Sequence, residues 1–240
     1  MRFYDNSYMK IIYEDDDLLV ADKPAGIVVF PEGKSNEETL IDYLLKEFSY
    51  LKNVGQEPRY GIVHRLDKDT SGVILIAKND ESLRYLQKQF KEGKVSKKYI
   101  ALVVGEIKEN QGKIESLIGR DSKDRKKQKT YLYLEPEAQK KGLRTAVTRY
   151  NVLKRFKGYT LLEVFPETGR KHQIRVHLLY LGYPIAGDKI YSFKGKLIPK
   201  GLKRQFLHAN CIKIKMVNGK TKEFCSELPE DLEQALKIIN

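Results

Sequence analysis

Seven side chains capable of acid–base or covalent chemistry fall within eight residues: His64, Arg65, Asp67, Lys68, Asp69, Thr70 and Ser71. Tyr60–Leu66 and Val73–Ala77 read as strands flanking this polar segment. Ionisable groups at the end of a buried element can have their rotamers fixed by the scaffold, as catalysis requires. An ordinary solvated turn with a local ion network fits the same spacing. The pair Asp67 and Asp69 also admits a glycosidase arrangement of one acid and one nucleophile, although neighbouring carboxylates in a turn usually accept from backbone amides. His64 lacks the Ser or Cys partner that a catalytic triad needs.

The second cluster is Phe165-Pro-Glu-Thr-Gly-Arg-Lys-His-Gln-Ile-Arg-Val-His177. A helix over 171–181, with Ile174, Leu178 and Leu181 on one face and Gly182 as its stop, puts Arg170 and Lys171 in its first turn. Cations there oppose the helix dipole unless a bound anion, most naturally a phosphate, offsets them. Arg175 adjoins the apolar stripe, so its guanidinium should be partly buried and should demand a carboxylate. His172 and His177, five apart, face different sides of a helix and have no third ligand, so packing or hydrogen bonding suits them better than a metal. Tyr99, in a strand over 98–104, shares a face with Ala101 and Val103, as a core tyrosine would. The stretch Arg120 to Lys129, which includes Arg125, Lys126 and Lys127, holds six basic and two acidic residues. It reads either as a solvated run or as an arm gripping phosphates, and the run from Lys194 to Arg204 reads the same way.

The elements that must position these groups are short strands with a few helices. A hairpin crosses Asp15–Asp17, and Gly26–Phe30 reads as a further strand. Ser35 and Glu38 form a capping box for a helix whose stripe is Leu40, Ile41, Leu44, Leu45 and Phe48. Asn79 caps a second helix that buries Leu83, Leu86 and Phe90 and ends at Gly93. Strands follow at Ile114–Leu117, Tyr131–Leu134, Thr145–Phe156 and Tyr159–Phe165. A hairpin, Phe206–Met216 with Lys222–Cys225, turns at Asn218-Gly219, and Pro229 opens a terminal helix. Consecutive strands on short turns predict an α+β fold rather than a doubly wound one.

The net charge of +13 is unevenly distributed. Residues 1–50 carry net −6 and residues 227–240 net −3, so the middle, 51–226, carries +22. Such concentration favours a polyanionic partner and salt-dependent binding. Cys211 and Cys225 are too far apart for a Cys-x-x-Cys site. Two free thiols suit a reducing cytoplasm, and a single disulfide is the alternative. The N-terminus lacks an apolar signal region and no run could span a bilayer, which predicts a soluble, cytoplasmic protein with no membrane partner. No nucleotide-binding glycine loop or metal constellation is present, so no cofactor and no metal are expected.

Three motifs, in order along residues 10 to 229, resemble the RluA-type family of RNA pseudouridine synthases. They are His64-Arg65-Leu66-Asp67 with Thr70-Ser71-Gly72; Lys98-Tyr99 with Ala101, Val103 and Gly105; and Glu167-Thr-Gly-Arg-x-His-Gln-Ile-Arg-x-His177, continuing through Gly182, Pro184-Ile185 and Gly187-Asp188 to Tyr191. A later Leu207-His208-Ala209 also fits. The resemblance implies a mixed, mostly antiparallel bent sheet with flanking helices and a central cleft. It implies Asp67 as the catalytic aspartate, Tyr99 as the tyrosine against the target base, Arg175 as the arginine that pairs with the aspartate, Ile174 as an apolar neighbour, and Arg65 as the residue that enters the RNA stack in place of the flipped base. The partner implied is RNA, a ribosomal or transfer RNA stem-loop, and a monomer is the expected state. Many family members carry a small RNA-binding module ahead of the catalytic body. Here a first strand near residue 10 leads to the expectation of one catalytic domain over 1–240 with no such module. The usual His-Pro pair after Leu-His-Ala is replaced by Lys215-Met216, which leaves the substrate open. A non-catalytic RNA-binding protein and a nucleoside hydrolase releasing free base are the rivals.

Overall fold

The computed structural model describes residues 9–31, 37–124, 127–139, 142–193 and 198–240. Its elements run β1 (Lys10–Glu14), β2 (Leu18–Lys23), α1 (Leu40–Glu47), β3 (Ser71–Ala77), α2 (Asp80–Lys91), β4 (Ser96–Val104), β5 (Gln111–Arg120), β6 (Gln128–Tyr131), β7 (Arg144–Phe156), β8 (Tyr159–Pro166), α3 (Gln173–Tyr180), β9 (Leu207–Lys215), β10 (Thr221–Cys225) and α4 (Glu230–Ile239). The architecture is α+β. The chain divides into two compact units, one of residues 1–96 with 209–227 and the other of residues 97–208 with 228–240. No helix among the described residues is long and apolar enough to cross a membrane.

In the first unit the hydrogen-bonded order is β1-β2-β3-β9, with β10 on β9. Asp15 makes the β1–β2 turn, its Oδ1 accepting from the Asp17 and Leu18 amides at 2.9 and 2.7 Å. The run Ser-Gly-Val-Ile-Leu-Ile-Ala of β3 is buried along its whole length, as a β-branched run covered on both faces should be. Helix α2 packs on it through Leu83 and Leu86. Asn79 caps α2 by accepting from the Ser82 amide at 2.8 Å, and Gly93 ends it at φ +69.

Four expectations in this unit need correction. Helix α1 opens on Thr39, whose amide and hydroxyl both donate to Asp42 Oδ2 at 2.9 and 2.7 Å. Glu38 instead pairs with Lys46 on the surface, and Ser35 lies outside the described residues. Gly26–Phe30 is a loop, because Gly26 turns at φ +89 and its amide donates to the Lys68 carbonyl. Tyr60–Leu66 is not a strand beyond an isolated bridge between Ile62 and Ile76; Tyr60 sits at φ 46, which breaks extended backbone. Cys211 and Cys225 are not free thiols. The β9–β10 register sets them opposite one another, Cα atoms 4.1 Å apart, and they form a disulfide.

In the second unit the order is β4-β8-β7-β5-β6, with β4–β8, β8–β7, β7–β5 and β5–β6 all antiparallel. Helix α3 lies against β6, β7 and β8. The apolar core combines Ala101 to Val104 of β4, Leu162 and Val164 of β8, Ile174 and Leu178 of α3, and Leu232 and Ala235 of α4. Strand β6 ends at Tyr131; Leu132 to Leu134, expected to extend it, form a turn in which Leu134 is 98% exposed.

His177 points from α3 into this core. Its Nε2 meets Ser116 Oγ at 3.0 Å and its Nδ1 meets Thr148 Oγ1 at 2.9 Å. Burial pushes its pKa down from 6.5 to about 4. Between those values the unfolded chain holds a proton on this imidazole that the folded chain does not. Stability is therefore lost as pH falls from 6.5 toward 4, by on the order of 3 kcal/mol from this group. Denaturant unfolding at pH 6.5 and 4.5 should show a larger loss for the wild-type chain than for His177→Gln.

Candidate active site

The motif segment of the first unit is held by groups remote in sequence. His64 Nε2 accepts from the Leu75 amide at 3.1 Å, which places the ring proton on Nδ1, and the ring stacks on Phe90 at 4.8 Å. His64 is thus part of the scaffold. Leu66 is buried beneath the turn, Asp67 is half-buried and Arg65 is exposed. The Arg65 guanidinium lies 5.4 Å from the Phe30 ring centroid, and Arg59 lies over the same ring at 4.7 Å. Cation–π contact of this kind positions a guanidinium without neutralising it.

Asp67 opens a tight turn in which its carbonyl accepts from the Thr70 amide at 3.1 Å. The next carbonyl, that of Lys68, accepts from the Gly26 amide at 2.9 Å and from Lys23 Nζ at 3.0 Å. Lys23 is 0% exposed. Its ammonium also donates to the carbonyls of Pro24 and Ile27 at 2.7 and 2.8 Å. A buried ammonium is tolerated when its donors are satisfied, and here three carbonyls from two loops close on one cation and tie the Asp67 turn to the 24–27 loop. Gly72, at φ +116, cannot carry a side chain, because a Cβ would lie 2.2 Å from the Ala209 carbonyl oxygen.

In the second unit Arg175 is 4% exposed. Its Nε and Nη2 donate to Asp188 Oδ2 and Oδ1 at 2.7 and 2.9 Å, a bidentate fork. The Asp188 Oδ1 atom also accepts from the Ile190 and Tyr191 amides, each at 2.9 Å. The guanidinium carbon lies 4.9 Å from the Tyr191 ring centroid. Tyr191 is fixed in turn by its hydroxyl, which accepts from the Gln128 amide at 2.7 Å and meets His172 Nδ1 at 2.8 Å. Gly187 permits the turn, since a Cβ there would lie 2.1 Å from the Arg204 carbonyl oxygen. The burial of Arg175 and its need for a carboxylate were readable from the helix pattern. That Asp188, Tyr191 and His172 hold it was not, although all three stand in the quoted motif.

Tyr99 sits half-buried at the start of the buried part of β4, opposite Val164 of β8. Ile174 belongs to the core. Arg170 and Lys171 do not lie in the first turn of α3. His172, at φ 57, caps the helix, which begins at Gln173, so the dipole argument for those cations does not apply. Arg170 is set instead by Gln173, whose Oε1 accepts from the Arg170 amide at 2.9 Å and from the Thr168 hydroxyl at 2.7 Å. Its Nε2 donates to Val147 O and Thr148 Oγ1. Arg120 is exposed at the end of β5. Lys127 closes a turn on Asp124, amide to carbonyl at 2.8 Å with the side chains 3.8 Å apart. Arg125 and Lys126 lie outside the described residues.

These two halves carry the motif residues on fixed supports, and comparison with known proteins gives them a family. A model described as RNA pseudouridylate synthase matches residues 17–180. The chain belongs to that family. It is 44% identical over 200 residues to an uncharacterized RNA pseudouridine synthase of Aquifex aeolicus, a match covering 82% of this chain and 60% of the relative. It is 42% identical over 229 residues to ribosomal large subunit pseudouridine synthase D of Borreliella burgdorferi, covering 94% and 67%. The protein of the same name in Pseudomonas aeruginosa is 38% identical over 242 residues, covering 96% and 72%. The chain thus spans 60% to 72% of the length of these three relatives. Among solved structures, human RNA pseudouridylate synthase domain containing 4 matches with a TM-score of 0.76 at 25% identity, covering 95% of this chain and 92% of that one. Human domain containing 1 matches at 0.75 and 26%, covering 98% and 90%. The α+β fold is that of these synthase domains.

Proposed function

We propose that this chain isomerises uridine in RNA to pseudouridine, with Asp67 as its catalytic carboxylate. The observation that carries the reading is the synthase family match across 17–180, which contains Asp67, Tyr99 and Arg175. The names of the Borreliella burgdorferi and Pseudomonas aeruginosa relatives support large-subunit ribosomal RNA as the substrate class. The reading places the protein in the cytoplasm with its RNA, acting as a monomer through one catalytic body.

The reaction is redox-neutral and consumes no water. A uridine leaves the stack, at a cost of a few kcal/mol, and Arg65 occupies the space it vacates. Asp67 then either attacks the anomeric carbon or removes a ribose proton to give a glycal. Either route breaks the bond from carbon 1′ to nitrogen 1 and leaves its electron pair on the uracil. The base turns and carbon 5 bonds to carbon 1′, displacing the Asp67 carboxylate on the first route or taking the ribose proton back from Asp67 on the second; the proton on carbon 5 then passes by way of Tyr99 to nitrogen 1. Arg175 favours the charged form of the aspartate and orients it. Arg120, Arg125, Lys126, Lys127, Arg170 and Lys171 contact phosphates, while Ile174 lines the base pocket. Pseudouridine mapping of total RNA from cells with and without the gene tests this. Sites that vanish on deletion and return with the wild-type gene are expected, and an unchanged map contradicts the reading.

A further inference from the structure

Three cations of the second unit are gathered without an acid. Lys97, at the start of β4, is half-buried and donates from Nζ to the Thr168 carbonyl at 3.0 Å. Two residues on, Arg170 donates from Nε to the Thr145 carbonyl at 2.9 Å, which sets its guanidinium beside Arg144 at the start of β7. Burial lowers the pKa of both Lys97 and Arg170, and neighbouring charge lowers each further, Arg170 acting on Lys97 and Arg144 on Arg170. The nearby carboxylates are engaged elsewhere: Glu163 with Lys98 at 3.7 Å, and Glu167 with Arg149. Among the described residues none of the three cations has a carboxylate partner. Like charges held together and partly desolvated destabilise a fold unless an anion compensates them.

We propose that Lys97, Arg144 and Arg170 form a seat for one backbone phosphate of the RNA. This rests on the reading of the chain as an RNA-modifying synthase. Lys97 is the diagnostic member, because burial and Arg170 bring its pKa to about 8. Arg170, the charged group beside it, and Arg144, beside Arg170, stay protonated over the same range.

The test is binding of a large-subunit ribosomal RNA transcript across a salt series, with pseudouridine formation on that transcript as the control. Lys97→Met should weaken binding about tenfold and lower the slope of log K against log salt by about 0.7 to 0.9, one phosphate contact. Lys97→Arg should keep both. Wild-type affinity should fall as pH rises beyond about 8, and Lys97→Arg should remove that fall. The Tm of Lys97→Met at pH 7 should equal or exceed that of wild type, since a compressed charge is gone. Unchanged affinity and slope in Lys97→Met, beside a wild-type chain that modifies the transcript, overturns the seat alone. A lowered Tm accompanying weaker binding, without rescue by Lys97→Arg, also overturns it and makes Lys97 structural. A wild-type chain that neither binds nor modifies the transcript overturns the functional reading and the seat with it.

Discussion

Asp67→Asn is expected to abolish pseudouridine formation, by about 10⁴-fold or more, while RNA affinity stays within about threefold. The substitution preserves shape and removes the negative charge that either route to glycosidic cleavage requires. The turn at this position is built from backbone, the Asp67 carbonyl accepting from Thr70 and the Lys68 carbonyl from Gly26 and the buried Lys23, and asparagine keeps all of those bonds. Circular dichroism should therefore match wild type while product disappears. Retained turnover would remove Asp67 from the chemistry.

The second large effect is expected at Arg175, where it should appear in stability as well as rate. The Asp188 side chain is fully buried beneath the guanidinium fork. Arg175→Leu leaves that carboxylate, among the described residues, with the Ile190 and Tyr191 amides as its donors. Breaking a buried pair from one side costs about 3–5 kcal/mol. At roughly 2–4 °C per kcal/mol for a chain of this size, the Tm should fall by about 10 °C. Arg175→Lys keeps the charge but cannot chelate both oxygens, so it should recover part of the loss. The double variant Arg175→Leu with Asp188→Asn should be more stable than Arg175→Leu alone, because the uncompensated charge is gone. Activity measured well below each variant's Tm should still be low in all three, which separates the role of the guanidinium from its contribution to folding. If Arg175→Leu melted within a degree or two of wild type, the buried pair would not hold this part of the second unit.

What was legible in the sequence was whatever depends on near neighbours. Asn79 and Gly93 bracket α2, Asp15 makes the first turn, and Asn218-Gly219 joins β9 to β10, each through groups within a few residues. What was not legible depends on distant partners. Nothing local marks Lys23 for burial at the end of its apolar strand, and its role is set by the Lys68 carbonyl, 45 residues away. The strand expected at Tyr60–Leu66 gives way to turns that carry the Asp67 segment, and its apolar residues are buried without a ladder. The start of α3 was misplaced because His172 takes a left-handed conformation and is held by Tyr191, which no local propensity announces. The case of Arg175 lies between the two. Helical periodicity buried it and charge demanded an acid, but only the Gly187 turn shows that Asp188 supplies one.

Analysis of nucleosides and free bases after incubating the chain with a large-subunit ribosomal RNA transcript tests the central claim most directly. The proposed chemistry predicts that wild type converts uridine to pseudouridine at unchanged mass with no free uracil, and that Asp67→Asn yields neither. Release of free uracil, or pseudouridine formed equally well by Asp67→Asn, would contradict it.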